Sequence, residues 1–337
     1  PYLCNNIPLM NLANAQLASA WLGILSPLWA ALTAVPLYLL GRDLADEEVA
    51  RKAVAWWPLV PALALFLGTL NTPTPLMATI IVYFLWTGLT REKRGLNWRL
   101  LLAGGLSAVA LILTFAFIPL LLLAGILALA TWQRDKNQSW LSAFRKPLLA
   151  GITFGLGLLL VFAVYSLIAG HTPLDILAEA MDMHLELQRR YWPWLLLHSW
   201  DFIIFLGLPA FGLFISGLTA WARPRIRQLA WSLALTLLVI VLSGTARGET
   251  GRLWIYFMPL ALLAGAEILV QLPNRLRYGL AARQVLWLLI LFMVLPTTGR
   301  GFDPPPAYAD IAFSPSAVPV TAAAADFGGL LELAGYS

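Results

Sequence analysis

The chain has 337 residues, of which 60% are hydrophobic and 12% are charged, and its mean hydropathy is +0.78. This composition excludes an ordinary soluble domain, and the single cysteine, Cys4, excludes an internal disulfide. The net charge of +5 does not indicate a nucleic-acid partner, because the basic residues concentrate in short loops between apolar stretches, where membrane topology and anionic lipids explain them.

These basic loops define a membrane topology. Seventeen of the 22 lysines and arginines lie in five loops, 41–52, 91–99, 133–147, 223–227 and 272–283. Between the loops are about ten apolar stretches, most of them roughly 17–25 residues long, the length that an α-helix needs to cross a bilayer. Since cationic loops stay on the cytoplasmic side during insertion, the pattern predicts an all-α polytopic membrane protein with these five loops inside.

Ten spans follow from this alternation. Residues 100–132 form one apolar run that is too long for a single crossing and has basic residues on both flanks. They are therefore predicted to cross twice, with a turn near 114–119. Within the sixth span, Gly151 and Gly155 form a weak helix-packing signal. The predicted spans are 17–40, 53–70, 74–90, two within 100–132, 148–169, 200–222, 229–244, 253–271 and 284–299.

The long outer segment 170–199 is predicted to contain an interfacial helix. Thr172-Pro173-Leu174-Asp175 has the cap, the first-turn proline and the carboxylate of a helix start. The leucines and methionine at 174, 177, 181 and 185 share one face, and acidic residues share another. Such a helix lies in the membrane interface, where it either shields the bundle or gates a substrate.

Four arginines, Arg189, Arg190, Arg247 and Arg252, lie on the predicted outer face, where the topology gives no reason for them. The turn 247–252 is the sharpest constellation, because its glycines let the backbone approach a ligand and its two guanidinium groups can converge on one phosphate. Glu249 could hold an arginine, bind a metal or accept a sugar hydroxyl. The alternative is an outer loop whose charges only pair with one another.

The other polar residues of the outer face extend this predicted cavity. His171, His184 and His198 have spacings that match no compact zinc motif, so polar interfacial groups are the simpler interpretation. His184 is the best candidate of the three, because it precedes a run of arginines and aromatics at 189–192. The residues predicted to line a substrate cavity are Glu249, His184, Tyr191, Asn71 and Asp201.

Several stretches carry a family resemblance: 39–44 followed by the turn 72–75, 184–194 with 201–209, 247–254 ending at 258–259, and 326–336. With these stretches the chain resembles the membrane glycosyltransferases of the GT-C superfamily, in particular the bacterial relatives of protein mannosyltransferases and aminoarabinose transferases. The resemblance implies a transmembrane domain over 1–299. It also implies a linker and the truncated start of an extracytoplasmic β domain over 300–337.

The resemblance further implies transfer of a sugar from a polyprenyl-phosphate-linked donor to an unnamed acceptor on the outer face of a bacterial inner membrane. Arg247, Arg252, Arg190 and Arg189 would bind the donor phosphate. The catalytic carboxylate of the family is expected upstream of Pro1, since residues 1–10 contain no Asp or Glu and at least one upstream helix is expected. The resemblance also allows a divalent cation, Mg²⁺ or Mn²⁺, although no ligand set in the sequence supports it.

Two other classes of protein stay open at this point. A polytopic transporter or flippase for a lipid-linked or anionic solute would also explain the spans and the outer arginines. Transporters often have matching halves with broken helices, and no such symmetry is visible in this sequence. A structural subunit of a membrane complex, with the arginines pairing with a partner chain, is the third interpretation.

Overall fold

The structure is a computed structural model that describes residues 14–69, 71–91, 97–131, 140–186, 191–244 and 250–295. These residues form helices and connections and no strand, so the predicted all-α class is confirmed for them. The helices belong to one compact unit, Pro1–Val294, and a second unit covers Leu295–Ser337. Apart from Leu295, the second unit lies outside the described residues, as does the predicted start of a β domain.

Fifteen α-helices are described. They are α1 (Asn14–Leu32), α2 (Ala34–Leu44), α3 (Glu47–Trp56), α4 (Pro61–Leu65), α5 (Thr74–Thr90), α6 (Trp98–Leu113), α7 (Ile118–Ala130), α8 (Trp140–Ala169), α9 (Pro173–Glu186), α10 (Tyr191–Leu206), α11 (Leu208–Ser216), α12 (Pro224–Ser243), α13 (Thr250–Leu253), α14 (Met258–Gln271) and α15 (Asn274–Val294). Short 3-10 helices at Trp57–Leu59, Phe115–Phe117 and Trp254–Phe257 connect some of them.

Several of these helices can cross a membrane. Among the described residues, five segments are long and apolar enough to do so. The bent pair α10–α11 would make a sixth, and α5, α6 and the segment Phe115–Ala130 are apolar but shorter. The chain is therefore a helical, multi-pass membrane protein. The five long segments are Gly23–Leu44, Pro147–Ala169, Pro224–Ser243, Thr250–Gln271 and Asn274–Val294.

Two predicted spans are not continuous helices. The predicted span 53–70 is divided into α3, a 3-10 turn and α4, because prolines at 58 and 61 lack the N–H that a continuous helix needs. The predicted span 200–222 begins earlier, at Tyr191, and bends by 103° between α10 and α11. Gly207 forms this bend with a φ of 98°, a conformation that glycine adopts without strain. Each of these two predicted spans therefore contains more than one helix, and whether each crosses the membrane stays a prediction.

The long apolar run 100–132 is interrupted at the predicted place. Helix α6 ends at Leu113, and Thr114 is extended, with φ −163° and ψ 130°. The Thr114 side chain accepts a hydrogen bond from the backbone N–H of Ala116 at 3.3 Å. The buried Tyr256 hydroxyl donates to the Ala116 carbonyl at 2.7 Å, which anchors the turn to the 3-10 helix before α14. The helix break is thus confirmed, and the double crossing stays a prediction.

Glycines bring α6 and α8 into close contact. A Cβ atom on Gly157 would lie 2.0 Å from the Leu101 carbonyl oxygen, and one on Gly104 would lie 1.9 Å from the Phe154 carbonyl oxygen. Small residues of this kind let membrane helices approach backbone to backbone. The glycines expected from the sequence were the wrong ones: a Cβ on Gly151 or Gly155 would meet no described atom within 4 Å.

Substitution of Gly157 by valine is therefore expected to destabilise the protein by about 1–3 kcal/mol, because the added atoms would clash with the α6 backbone. Thermal unfolding in detergent micelles measures this loss. Gly151→Val, on the same helix but facing open space, is the matched control and is expected to change the stability by less than about 0.5 kcal/mol. Equal losses in the two variants would contradict the assigned packing.

Four of the five basic loops meet at one end of the bundle, which we call the basic end. Charged contacts join the loops 41–52, 91–99, 223–227 and 272–283 directly. This grouping agrees with the predicted placement of these loops on one side of the membrane. The contacts are Arg91 to Asp43 at 2.6 Å, Arg223 to Asp46 at 2.5 Å, Arg277 to Glu48 at 3.5 Å, and Arg225 to the Asp43 carbonyl at 3.4 Å.

Asp46 has two roles at the basic end. Its carboxylate accepts a hydrogen bond from the Val49 N–H at 3.0 Å, which caps the start of α3, and it also contacts Arg223. The Val49 hydrogen bond, with Arg223 as a further cause, lowers the pKa of Asp46 below its ordinary value of 3.8. The stabilisation from this carboxylate is therefore present at neutral pH and is lost as the pH falls below about 4 through the lowered pKa.

The predicted interfacial helix is present as α9. The Thr172 N–H and hydroxyl each donate to Asp175 at 2.8 Å, and the Asp175 N–H donates back to the Thr172 hydroxyl at 3.3 Å. This reciprocal cap confirms the predicted helix start. On the predicted apolar face Leu174 is 65% exposed, so described residues leave part of that face uncovered. The position of α9 in the membrane interface stays a prediction.

Candidate functional site

The described residues of the predicted site belong to elements that meet at the end of the bundle opposite the basic end, which we call the distal end. Helix α12 starts next to Arg223 at the basic end and runs for 20 residues without a break. Since a helix rises 1.5 Å per residue, its far end at Ser243 is about 30 Å away. Helices α13 and α14 return the chain to the basic end, where Glu267 contacts Arg223.

The structure describes the side chains of four of the nine predicted site residues. These are Asn71, Tyr191, Asp201 and Arg252. His184 lies within α9, with its side chain outside the described part. The remaining predicted residues lie outside the described residues: Arg189, Arg190, Arg247 and Glu249.

Tyr191 holds the ends of two helices together. Its hydroxyl donates to the Leu242 carbonyl at 2.7 Å, in the last turn of α12. Its ring covers Gly244, where a Cβ atom would lie 2.5 Å from the ring, and Gly244 ends α12 in the left-handed conformation with a φ of 62°. Tyr191 thus caps α12 and holds the start of α10 against the C-terminal end of that helix.

Arg252 lies on the one-turn helix α13, which packs against α10. The contact is close because Gly251 has no side chain: a Cβ atom there would lie 2.0 Å from the Phe205 ring. The glycine was expected to let the backbone approach a ligand, but in the structure it lets the backbone approach an aromatic ring. Arg252, the next residue, is half-buried beside this contact between α13 and α10.

His198 is enclosed by aromatic rings and fully buried. The centroid of its imidazole lies 5.6 Å from that of Trp194 and 5.7 Å from that of Trp254, and its exposed fraction is 0%. Neither ring nitrogen has a hydrogen-bond partner, and the same holds for the hydroxyl of Thr250, which is also fully buried. Native proteins pair the great majority of buried polar groups, so these two side chains stand out.

Sequence reasoning treated His198 as an ordinary interfacial residue and did not select Thr250 by itself. One signal in the sequence could have grouped them. Positions 191, 194, 198, 201 and 205 repeat at spacings of three and four, which is one stripe of a helix. Reading α10 as a helix from Tyr191 would have placed His198 in the same stripe as Asp201.

Asp201 and Asn71 lie on elements that meet at the same end. Asp201 is half-buried, and no hydrogen bond or ion pair joins its carboxylate to another described side chain. Asn71 belongs to the turn before α5, and its carbonyl accepts from the Thr74 N–H at 3.1 Å. This turn reaches α10 through Phe66 and Phe205, whose ring centroids are 5.1 Å apart. The structure therefore brings the elements carrying Asn71, Tyr191, Asp201 and Arg252 together.

A buried glutamine occupies the bend between α10 and α11. In a continuous helix the Leu206 carbonyl would accept from the Ala210 N–H. Here the Gln284 side chain stands between them: its amide nitrogen donates to Leu206 at 3.0 Å, and its oxygen accepts from Ala210 at 3.3 Å. The same nitrogen donates to the Leu59 carbonyl at the break before α4, at 3.1 Å. The Gln284 side chain thus satisfies backbone groups both at the break between α3 and α4 and at the bend between α10 and α11.

The described residues contain no group of three or more His, Cys, Asp or Glu side chains that could hold a metal ion. Comparison with models of protein families, with curated proteins and with solved structures gave no match. The site's chemistry therefore has to be judged from its residues. The described ones offer a half-buried cation, a half-buried carboxylate and two buried hydrogen-bonding groups among aromatic rings, a set suited to a ligand with both an anionic and a hydroxyl-bearing part.

Proposed function

We propose that this protein is a GT-C-type glycosyltransferase that moves a sugar from a polyprenyl-phosphate-linked donor to an acceptor on the outer face of a bacterial inner membrane. The observation that carries the proposal is the composition of the distal end. There the half-buried Arg252 lies two residues from the buried hydroxyl of Thr250 and on the helix that packs against α10. A sugar phosphate needs both a cation and neutral hydrogen-bonding groups.

The proposal includes ten membrane spans with the distal end outside. In this topology 100–132 crosses twice, and the three shorter apolar helices take part in crossings. The contacts among four basic loops support a common side for those loops. In the proposal the positive-inside rule assigns that side to the cytoplasm, and Arg252 and helix α9 would then lie on the outer surface.

In the proposed reaction an acceptor hydroxyl attacks the anomeric carbon of the sugar while the bond from that carbon to the phosphate oxygen breaks. The lipid phosphate leaves with the bonding electrons, and the hydroxyl proton passes to a general base. Arg252, with Arg247, Arg189 and Arg190, binds the phosphate and stabilises its growing charge, which is usually the largest catalytic contribution. The proposal assigns this general base to no residue of the sequence; such a base would contribute about 10²–10⁴-fold.

A transporter or flippase is the second candidate, because broken helices often form transporter binding sites. In such sites the freed backbone groups bind the solute or its coupled ion. Here Gln284 already engages the Leu206 and Leu59 carbonyls and the Ala210 N–H. The break therefore leaves fewer free backbone groups for a solute than a transporter site requires, and this favours the transferase.

Transfer by the full-length protein tests the proposal. Arg252→Gln is expected to lower turnover by about 10²–10³-fold, because it removes a cation facing the leaving phosphate. Arg145→Gln, an exposed arginine at the start of α8, is the matched control and should retain wild-type turnover. Wild-type activity in Arg252→Gln would contradict the phosphate role. Solute movement across liposomes without sugar transfer would instead support the transporter.

A further inference from the structure

We infer that His198 and Thr250 recognise the sugar of the lipid-linked donor by hydrogen bonding its hydroxyl groups. The inference rests on the proposed function and divides the donor site into two parts. Arg252 binds the phosphate, and His198 and Thr250 bind the sugar ring attached to it. Because the phosphate is bonded directly to the anomeric carbon of the sugar, residues for the two parts must be neighbours. Thr250 and Arg252 share the one-turn helix α13, which packs against α10.

The two side chains belong to one packed unit. Helix α13 contacts α10 through Gly251 and Phe205. About one turn after Thr250, Trp254 packs its ring against His198, with 5.7 Å between centroids. His198 and Thr250 therefore lie on contacting elements, and each is fully buried with its polar side-chain atoms unpaired.

This pair differs from the other buried unpaired atoms of the described residues. Those atoms include Ser232 Oγ, within α12, and Glu267 Oε2, in a carboxylate whose other oxygen binds Arg223 at 3.0 Å. At the distal end, by contrast, two complete side chains are unpaired on two contacting elements. Buried polar groups without partners weaken a fold, so their concentration at one place indicates a role in binding.

The chemistry of the pair fits a sugar better than a phosphate or a metal ion. An imidazole and a hydroxyl each offer both a donor and an acceptor, as sugar hydroxyls do. A phosphate accepts only and is better held by a guanidinium group. A metal site needs several ligands, and the described residues contain no group of three or more His, Cys, Asp or Glu side chains that could hold a metal ion. The rings of Trp194 and Trp254 supply the apolar walls that pockets for neutral ligands have.

Access to the pair requires movement of the groups that cover it. His198 and Thr250 are fully buried, whereas Trp194, which covers one side of the imidazole, is only half-buried. A shift of the Trp194 side chain would uncover the imidazole from the surface of the site. Binding of the sugar would then supply hydrogen bonds to groups that lack them in this structure.

Two apolar replacements of similar shape, His198→Phe and Thr250→Val, test the inference in the full-length protein. The measurement is the affinity for a polyprenyl phosphate and for the same lipid carrying mannose, glucose or aminoarabinose. The wild type is expected to prefer at least one sugar-bearing lipid by about tenfold or more. Each replacement should reduce that preference by about five- to tenfold and leave the affinity for the bare lipid within about twofold.

The thermal stability of the ligand-free variants separates recognition from a structural role. Because each replacement removes an unpaired buried polar group, the melting temperature should stay equal or rise. Ser232→Ala is the matched control, since it removes an unpaired buried hydroxyl in the middle of α12, outside α10 and α13, and should not change sugar preference. Arg252→Gln should weaken binding of the bare and the sugar-bearing lipid alike.

Three outcomes would overturn the inference. They are unchanged sugar preference in both variants, an equal loss of affinity for the bare lipid, and a lowered melting temperature in the absence of ligand. If the wild type binds the bare lipid but prefers no sugar, sugar recognition by this pair fails while the phosphate site stands. If the wild type binds neither lipid, the proposed function itself fails.

Discussion

Replacing Gln284 with methionine is expected to lower the free energy of unfolding by about 3 kcal/mol or more. Methionine has a similar length and is apolar, so it fills the space without making the hydrogen bonds. The change leaves the Leu59 and Leu206 carbonyls and the Ala210 N–H without their side-chain partner. A buried backbone group left unpaired costs about 1–3 kcal/mol, and water is scarce inside a membrane bundle.

The substitution of Gln284 should also affect the residues at the distal end. Gln284 packs directly on Gly207, where a Cβ atom would lie only 2.2 Å from its amide nitrogen. Gly207 ends α10, the helix that carries Tyr191, His198 and Asp201. A looser bend would therefore let this helix shift, and we expect weaker donor binding in addition to lower stability.

Thermal unfolding in detergent micelles measures the effect of Gln284→Met. Arg283→Met is the matched control, because Arg283 is exposed and adjacent on the same helix, and its replacement is expected to change stability by less than about 0.5 kcal/mol. Equal stability of Gln284→Met and the wild type would mean that the bend between α10 and α11 does not depend on this amide.

Replacing Arg223 with alanine is expected to cost about 2–3 kcal/mol of stability. Arg223 donates to Glu267 through its side chain at 3.0 Å and through its backbone at 3.4 Å, and it also contacts Asp46. Glu267 is only 2% exposed. Removing one partner of a buried pair costs about 3–5 kcal/mol because a charge stays behind unpaired, and the 42% exposure of the Arg223 side chain reduces that figure here.

A second substitution distinguishes the cost of an unpaired buried charge on Glu267 from the cost of lost packing around Arg223. Adding Glu267→Gln to Arg223→Ala should recover most of the lost stability, because a neutral amide leaves no buried charge. The control is Arg51→Ala, whose ion pair with Glu47 lies on the surface of α3, and its expected effect is below about 0.5 kcal/mol. A double variant less stable than Arg223→Ala alone would contradict the electrostatic explanation.

Local patterns in the sequence predicted much of the fold. The Thr172–Asp175 cap and the break at Thr114 depend on neighbouring residues, and the structure has both. The basic loops were grouped by a rule of membrane insertion, and four of them are in contact. Such features need no knowledge of which helix packs against which.

The candidate site was predictable only in part. Asn71, Tyr191, Asp201 and Arg252 were assigned to one face from topology, and their elements meet there. Tyr191, however, donates its hydrogen bond to the end of α12. The Phe205 ring packs so closely on Gly251 that a side chain at this position would clash with it. These roles depend on contacts between segments about 50 residues apart in the chain, such as Tyr191 with Leu242.

The amino-acid sequence alone determined that the described part of this chain is a helical membrane protein and that four of its basic loops lie together, because hydrophobic length and charge act locally during insertion. Only the tertiary structure decided where the helices bend and which polar side chains are buried. Gln284 is 74 residues from Ala210, yet its amide completes the hydrogen bonding of that bend. The burial of His198 is visible only in the tertiary structure, where the Trp254 ring packs against it. Burial depends on neighbours that no local sequence pattern specifies.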